Sequence, residues 1–285
     1  MILVFGKTGQ VARELGVQGV GRVRALGRDE ADLANPAACS ALIKALAPTA
    51  VINAAAFTAV DRAETEEALA TRINGQSPGA MAEACAGLAI PFCHVSTDYV
   101  FDGSGTRPWS ETDPVQPQNA YGRSKLAGET AVLGAGGQAA ILRTSWVFSA
   151  HGANFVKTML RLGQTRDALN VVDDQIGGPT PAAAIAAALL AMVQHMQQDG
   201  TIGGIYNFCG APAISWAGFA REIFAKAGHS VDITGIATSD YPTPASRPLN
   251  SRLNCAKFET DFGISQPDWQ IGLQSVLGDL GALAT

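Results

Sequence analysis

Tyr121-Gly122-Arg123-Ser124-Lys125 sets a phenol and an ammonium four residues apart, a spacing that puts both side chains on one helical face. A free tyrosine titrates near ~10 and is a poor base at neutral pH. A neighbouring ammonium favours the phenolate, so the pair can exchange a proton with a substrate oxygen. The chain holds four tyrosines and six lysines, and chance would place about 0.08 such pairs in it, which marks this one for attention. The apolar run from Pro91 to Ser96 leads into Thr97-Asp98-Tyr99-Val100-Phe101. A threonine there can hydrogen-bond a reacting carbonyl; the plain alternative is an ordinary strand-end residue.

A second set of residues suits a dinucleotide. Gly6-Lys7-Thr8-Gly9-Gln10-Val11-Ala12 follows a short apolar run and opens a helical pattern. Gly6 permits the tight turn, Gly9 lets backbone approach a pyrophosphate at the helix N-terminus, and Ala12 replaces the third glycine of the usual pattern. The spacing of a phosphate-binding P-loop is absent despite Lys7-Thr8. Folds that bind plain NAD place an acidic residue about 20 residues on, to hold the adenosine ribose. Here that place reads Leu26-Gly27-Arg28. Arg28 can pair with a 2′-phosphate, which favours NADPH with NADH still usable; the alternative is a solvated surface arginine.

These residues need elements to hold them, and the pattern supplies them. Short apolar runs at Ile2–Phe5, Val23–Leu26, Ala50–Asn53, Pro91–Ser96 and Ala139–Trp146 alternate with helical stretches at 9–15, 35–47, 65–87 (interrupted near Pro78) and 119–133. Apolar strands separated by helices predict an α/β fold with a doubly wound parallel sheet, its ligands at the carboxyl ends of the strands. The first domain is expected over residues 1–148, with roughly 169–200 returning to it. Residues 149–285 should form mainly a smaller α/β lobe, with helices over 154–162, 181–197 and 216–227. Tyr241 to Pro248 carries three prolines in eight residues and reads as a preformed loop.

Composition closes off several classes. At 285 residues, 47% hydrophobic and 16% charged, the chain can bury a core and is not disordered. A net charge of −5 without a basic block argues against nucleic acid. The longest apolar stretch, Ala182 to Val193, is too short for a bilayer, and no basic segment precedes the opening strand, so neither a membrane span nor a signal peptide is expected. Five scattered cysteines and four histidines share no ligand spacing, which predicts a reduced, cytoplasmic protein without a structural metal.

Gly6-x-x-Gly9, Asn53-Ala54-Ala55-Ala56, Ser96 to Phe101 and Tyr121-x-x-x-Lys125 together resemble the extended short-chain dehydrogenase/reductases. Arg143 to Phe148, Asn154 to Leu160, Asp174-Gln175 with Pro179-Thr180, and Tyr241 to Leu253 narrow the resemblance to the dTDP-4-dehydrorhamnose reductase family, from Met1 to about Leu280. That resemblance implies NAD(P)H-dependent reduction of a C4 keto group on a sugar nucleotide. It places the catalytic triad on Thr97, Tyr121 and Lys125, with Tyr121 as proton donor and Lys125 holding the nicotinamide ribose and lowering the tyrosine pKa. Cofactor contacts fall on Gly9, Gln10, Val11, Asp32, Leu33, Ala55, Ala56 and Thr58, beside the turn glycine Gly6. Substrate contacts fall on Thr97, Asp98 and Trp146, and Arg247 is a candidate partner for the diphosphate. Some members form a magnesium-bridged dimer through acidic residues. Glu14 and Asp279 match, but the middle carboxylate falls in the alanine run near Ala184, so neither the metal nor that dimer is expected; a monomer or weak homodimer is.

Two other readings stand beside this one. A non-catalytic NADP-binding regulatory subunit would share the fold, although intact Thr97, Tyr121 and Lys125 argue against it. A sugar-nucleotide epimerase or dehydratase would typically present further acid/base residues after the strand-four threonine. Asp98-Tyr99 stands there instead.

Overall fold

A computed structural model describes residues 1–284. Six strands, β1 (Ile2–Phe5), β2 (Val23–Leu26), β3 (Ala50–Asn53), β4 (Phe92–Thr97), β5 (Ala139–Thr144) and β6 (Gly204–Asn207), form one sheet in the order β6-β5-β4-β3-β1-β2. Every pairing in it is parallel. The central strands are buried on both faces, the reason they read as unbroken apolar runs. The sixth strand comes from the second half of the chain, where its four residues carry no distinctive pattern.

Helices cover both faces. On one, α1 (Gln10–Gln18) packs with the alanine-rich helix Ala182–Gln198 and with Phe258 and Phe262. On the other lie α2 (Pro36–Leu46), capped by Asn35 and opened by Pro36, and the helix Ser77–Gly87. The long helix expected over 65–87 runs without a break over Glu67–Gly87, its interruption near Pro78 taking the form of a π-turn over Arg72–Gln76, and the separate turn Val60–Ala63 precedes it. Pro78 has no N–H to continue an α-helical ladder, and the wider turn before it absorbs the mismatch. Asn74 in that turn bonds both the N–H and the carbonyl of Phe57, at 2.7 and 3.0 Å, so the bulge also pins the loop after β3.

The second half builds its own core from helices Phe155–Gly163, Trp216–Ala227 and Trp269–Asp279 around Phe219, Ile223 and Trp269. Ala168–Val172 pairs with Asp232–Ile236 in a small parallel sheet, so of the span 169–200 it is the helix Ala182–Gln198 that lies against the main sheet. The proline-rich stretch carries no helix or strand between the short turn Thr238–Asp240 and Asn250–Ser251. It is tied down at Ser246, whose carbonyl accepts from Asn119 at 2.8 Å. No helix among the described residues is long and apolar enough to cross a membrane.

Candidate active site

A cleft of about 640 Å³ opens over the carboxyl ends of the strands. Its wall gathers Gly6, Gly9, Gln10, Val11, Arg28, Asp32, Leu33, Ala55, Ala56, Thr58, Thr97, Asp98, Tyr121, Lys125 and Trp146. Arg247 is the expected site residue that is not part of this wall. It lies beside the cleft, held by Asp61 at 2.8 Å and by the Ala245 carbonyl at 3.0 Å.

At the cofactor end, Gly6 has φ +107°, a conformation L side chains rarely adopt. Gly9 caps α1 without a side-chain bond, and the first turn carries no acidic residue. The first N–H groups of α1 are therefore available to an anion, which the helix dipole favours. Gln10 differs from expectation in how its side chain is used. Its Oε1 accepts from Ser149 and Asn154, both at 2.9 Å, which leaves its backbone to face the cleft. A dinucleotide fits this half: an uncapped helix start, a glycine turn, and apolar walls at Leu33 and Ala55. Glu14, one of the acidic residues that match the magnesium-bridged members, faces His151 at 3.4 Å.

Arg28 projects at the adenosine end with its side chain 80% exposed, 3.5 Å from Asp32. Gly27 removes a side chain, but the Asp29 carboxylate occupies the space a Cβ would enter. Glu30 reaches the Gly27 N–H at 3.4 Å. The absence of a carboxylate at position 27 is thus made up by its neighbours, which the strand-end residue type alone does not reveal.

The reacting end is built by β4 and the helix α3 (Ala120–Gly134) that follows. Asn119 accepts from Gly122 N at 2.8 Å and Glu64 from Ala120 N at 2.8 Å, which fixes where the helix starts. Gly122 lies so close to the Tyr99 carbonyl, and Gly128 to that of Asn74, that a Cβ at either would collide. Gly122 lets the start of α3 approach the end of β4, and Gly128 lets the helix close on the turn over Arg72–Gln76. Thr97 donates to Asp98 Oδ1 at 3.0 Å and accepts from Tyr99 N at 3.2 Å. Asp98 is 2% exposed, its Oδ2 has no hydrogen-bond partner, and burial pushes its carboxyl up to about 6. The Ser251 hydroxyl beside the carboxyl lowers this value and does not offset the burial.

Lys125 does not acidify Tyr121 in this arrangement. Its Nζ donates to the Val95 carbonyl at 2.6 Å and meets His94 Nε2 at 3.1 Å. Burial, reinforced by the Asp98 charge, raises the Tyr121 hydroxyl above its usual range, against the smaller lowering effect of the Thr97 hydroxyl. The phenol keeps its proton, the form required of an acid. Burial brings the Lys125 ammonium down to about 8.

Several partners of the expected site residues escaped the sequence reading, among them Trp216 beside Trp146. Trp146 has φ 50° and stacks on Trp216, with ring centroids 3.5 Å apart and planes within 11°. Gly177 leaves room for it: a Cβ there would stand 2.8 Å from the Trp146 ring. Seventy residues separate the two tryptophans, and no local pattern joins them. Glu129 was legible in principle, because it continues the Tyr121, Lys125 face by one more turn. It forms a bidentate pair with Arg143 at 2.6 and 2.9 Å and accepts from Ser96 at 2.6 Å, all buried. That cluster bolts α3 to β4 and β5 just below the catalytic groups.

A parallel doubly wound sheet, a glycine turn after its first strand, and threonine, tyrosine and lysine meeting at its fourth define an oxidoreductase of the short-chain dehydrogenase/reductase type. Residues 1–281 match the model of the RmlD substrate binding domain, and the chain belongs to that family. It is 44% identical over 277 residues to the dTDP-4-dehydrorhamnose reductase of Sinorhizobium fredii (strain NBRC 101917 / NGR234), covering 94% of each chain. A dTDP-4-dehydrorhamnose reductase crystal structure from Clostridium acetobutylicum superposes with a TM-score of 0.92 at 36% identity, over 98% of this chain and 99% of that one. The Bacillus anthracis dTDP-4-dehydrorhamnose reductase, solved in complex with NADP, superposes with a TM-score of 0.91 at 30% identity, over 98% of both.

Proposed function

We infer that this chain reduces the C4 keto group of dTDP-4-dehydro-L-rhamnose to the alcohol of dTDP-L-rhamnose, using NADPH. The observation that carries this reading is the meeting of Thr97, Tyr121 and Lys125 at the end of one cleft whose other end is the Gly6–Gly9 turn. The cofactor supplies the hydride. Gly9, Gln10 and Val11 would take its pyrophosphate through backbone N–H groups, Asp32 and Leu33 would border the adenine, and Ala55, Ala56 and Thr58 would line the middle of the cleft. Lys125 would hold the nicotinamide ribose.

Thr97 orients the carbonyl oxygen, and Tyr121 gives it a proton as the alkoxide develops, a step worth roughly 10²–10⁴ in rate. Tyr121 is suited to this because its site keeps the phenol protonated. Asp98 and Trp146 would contact the sugar, the second through the face of a ring held by Trp216. Arg247 would reach the diphosphate only by exchanging its bond to Asp61. NADPH is preferred to NADH in this reading, with Arg28 drawing the 2′-phosphate. The five cysteines are buried and unpaired, which suits a reducing cytoplasm. With Glu14 turned to His151, a monomer or weak homodimer without magnesium is the matching assembly.

The test is NADPH oxidation by the purified protein with dTDP-4-dehydro-L-rhamnose generated in situ by the upstream enzymes. Stoichiometric formation of dTDP-L-rhamnose is expected. A protein that instead releases tightly held NAD on denaturation and leaves NADPH untouched is an epimerase or dehydratase, and the reading is wrong.

A further inference from the structure

Cys209 and Cys255 have no part in the reaction scheme above, yet they meet beside it. Cys209 lies two residues beyond β6, Cys255 opens the helix Ala256–Phe262, and their sulfurs stand 3.9 Å apart although 46 positions separate them in the chain. The Cys209 N–H donates to the Cys255 sulfur at 3.3 Å, and the two sulfurs lie 3.8 and 3.7 Å from the Leu253 carbonyl. The pair is buried, but a surface side chain bonds to it. Gln266, an exposed residue, donates from Nε2 to the Cys209 sulfur at 3.5 Å and to the Cys209 carbonyl at 3.2 Å. The Cys255 thiol, donating to Cys209, holds that group below the usual thiol range against burial, while the same bond and burial raise Cys255. One sulfur is thus a nucleophile and the other its proton-bearing neighbour, the relation of an attacking to a resolving thiol.

We propose that Cys209 and Cys255 form a reversible oxidation site, closed to a disulfide by a small peroxide, and that its closure weakens binding at the sugar end of the cleft. In the first step the Cys209 thiolate attacks one peroxide oxygen. An S–O bond forms, the O–O bond breaks, and the leaving hydroxide takes up a proton to become water. In the second step the Cys255 sulfur attacks that of Cys209. An S–S bond forms, the S–O bond breaks, and the hydroxide leaves as water with the Cys255 proton. The two thiols lose two electrons and the peroxide gains them. An external dithiol reverses the change by thiol–disulfide exchange.

Both sulfurs are tied to the sugar end. A Cβ on Gly178 would stand 3.1 Å from the Cys209 sulfur, and the Gly178 carbonyl accepts from Ser145, the neighbour of Trp146. From Cys255 the chain runs back through Leu253 to Ser251, whose hydroxyl stands beside the Asp98 carboxyl. Asn250–Ser251 pairs with Ile176–Gly177, and Gly177 lies against the Trp146 ring. A disulfide needs its sulfurs about 2 Å apart, so closure must draw one of these segments toward the other. The Gly6–Gly9 turn lies at the other end of the cleft, between β1 and α1, and keeps its geometry.

The chemistry is tested on the full reduced chain, without cofactor or substrate. Hydrogen peroxide is added, free thiols are alkylated in denaturant, and the peptides are mapped by mass spectrometry. A Cys209–Cys255 link that dithiothreitol removes is expected, with Cys39, Cys85 and Cys93 alkylated. Burial pushes the Cys85 and Cys93 thiols up to about 12, which makes them internal controls. Cys255→Ser should lose the link and leave sulfenic acid on Cys209, trapped by a cyclic dione. Reduced Cys209 and Cys255 after peroxide, or links joining them to the other three cysteines, overturn the proposal. If the variant does not fold, the wild-type map decides alone. The effect on binding rests on the reductase reading. In the oxidised protein KM for the sugar nucleotide should rise at least about threefold, with KM for NADPH unchanged and dithiothreitol restoring the first. An unchanged KM in protein that carries the link overturns the coupling to the cleft. Absent turnover in the reduced protein would instead overturn the reductase reading, with the disulfide map left standing.

Discussion

Tyr121 and Asp98 sit in the same wall, 23 residues apart in the chain, and their environments push both toward the protonated form for different reasons. The tyrosine loses solvent and feels the Asp98 charge, while the aspartate loses solvent against hydrogen bonds too few to compensate. Tyr121→Phe should lower kcat by roughly 10²–10⁴ with NADPH affinity unchanged, because it removes only the donated proton. A variant near wild-type turnover, measured by NADPH oxidation, would clear Tyr121 of that role. For Asp98 the raised folded value means that ionisation opposes folding. From 3.8 to about 6 the cost is about 3 kcal/mol, fully present above pH 6 and relieved as pH falls toward 4. Asp98→Asn should therefore raise thermal stability at pH 8, by roughly 2–4 °C per kcal/mol recovered, and lose that advantage near pH 4. The same change should raise KM for the sugar nucleotide. At Arg28, high exposure and an adjacent Asp32 limit a 2′-phosphate contact to about 0.2–1 kcal/mol, less than one decade. Arg28→Ala should bring kcat/KM for NADPH and NADH toward parity, and an unchanged ratio would show the guanidinium to be solvated only.

The decisive element is α3, because its residues must reach a strand end that an ordinary helix would hold further away. Gly122 permits that approach, Gly128 lets the helix close on the π-turn behind it, and the Glu129–Arg143 pair locks the arrangement. Gly128→Ala should push the helix from the Asn74 carbonyl and cost roughly 1–3 kcal/mol, a magnitude typical of overpacking. Arg143→Leu leaves Glu129 buried without its partner and should cost about 3–5 kcal/mol, read as a lower urea midpoint. Because the pair lies below the catalytic groups, kcat should fall in the surviving folded fraction as well. The π-turn over Arg72–Gln76 supports the same helix from its other side, with Asn74 Nδ2 donating to Ser124 at 2.9 Å.

Across the whole molecule the cleft is closed by contacts between chain halves. Gln10 joins the glycine turn to Ser149 and Asn154, and Trp216 braces Trp146 from the second half. A ligand that binds the folded cleft must then stabilise the whole chain. NADPH at a hundred times its Kd should add about 2.7 kcal/mol and raise the melting temperature by roughly 5–10 °C. A shift confined to local protection in hydrogen exchange, with no change in global melting, would mean that the halves unfold separately. Activity should survive EDTA; complete loss restored by magnesium would point to acidic ligands contributed by a second copy of the chain.

The strand-and-helix alternation, the glycine turn and the Tyr121, Lys125 face are local regularities, written as unbroken apolar runs, a period of 3.6 residues or fixed spacings, and the sequence by itself determined them. Each is written within a few residues, and burial on both faces makes the central strands unmistakable. What the tertiary structure decided are the meetings of residues far apart in the chain. Cys209 with Cys255, Trp146 with Trp216, Glu129 with Arg143, and Gly204–Asn207 as the sixth strand depend on which elements become neighbours. Signs of effects also waited for the fold. Lys125 looked like the group that would acidify Tyr121, yet its Nζ turns to Val95 and His94 while burial raises the phenol. Gly27 looked like a missing carboxylate, yet Asp29 fills the gap. Arg247 looked free for a diphosphate, yet it is engaged by Asp61. Residue types state which charges exist; desolvation and distance, which set what those charges do, arise only when the chain has packed.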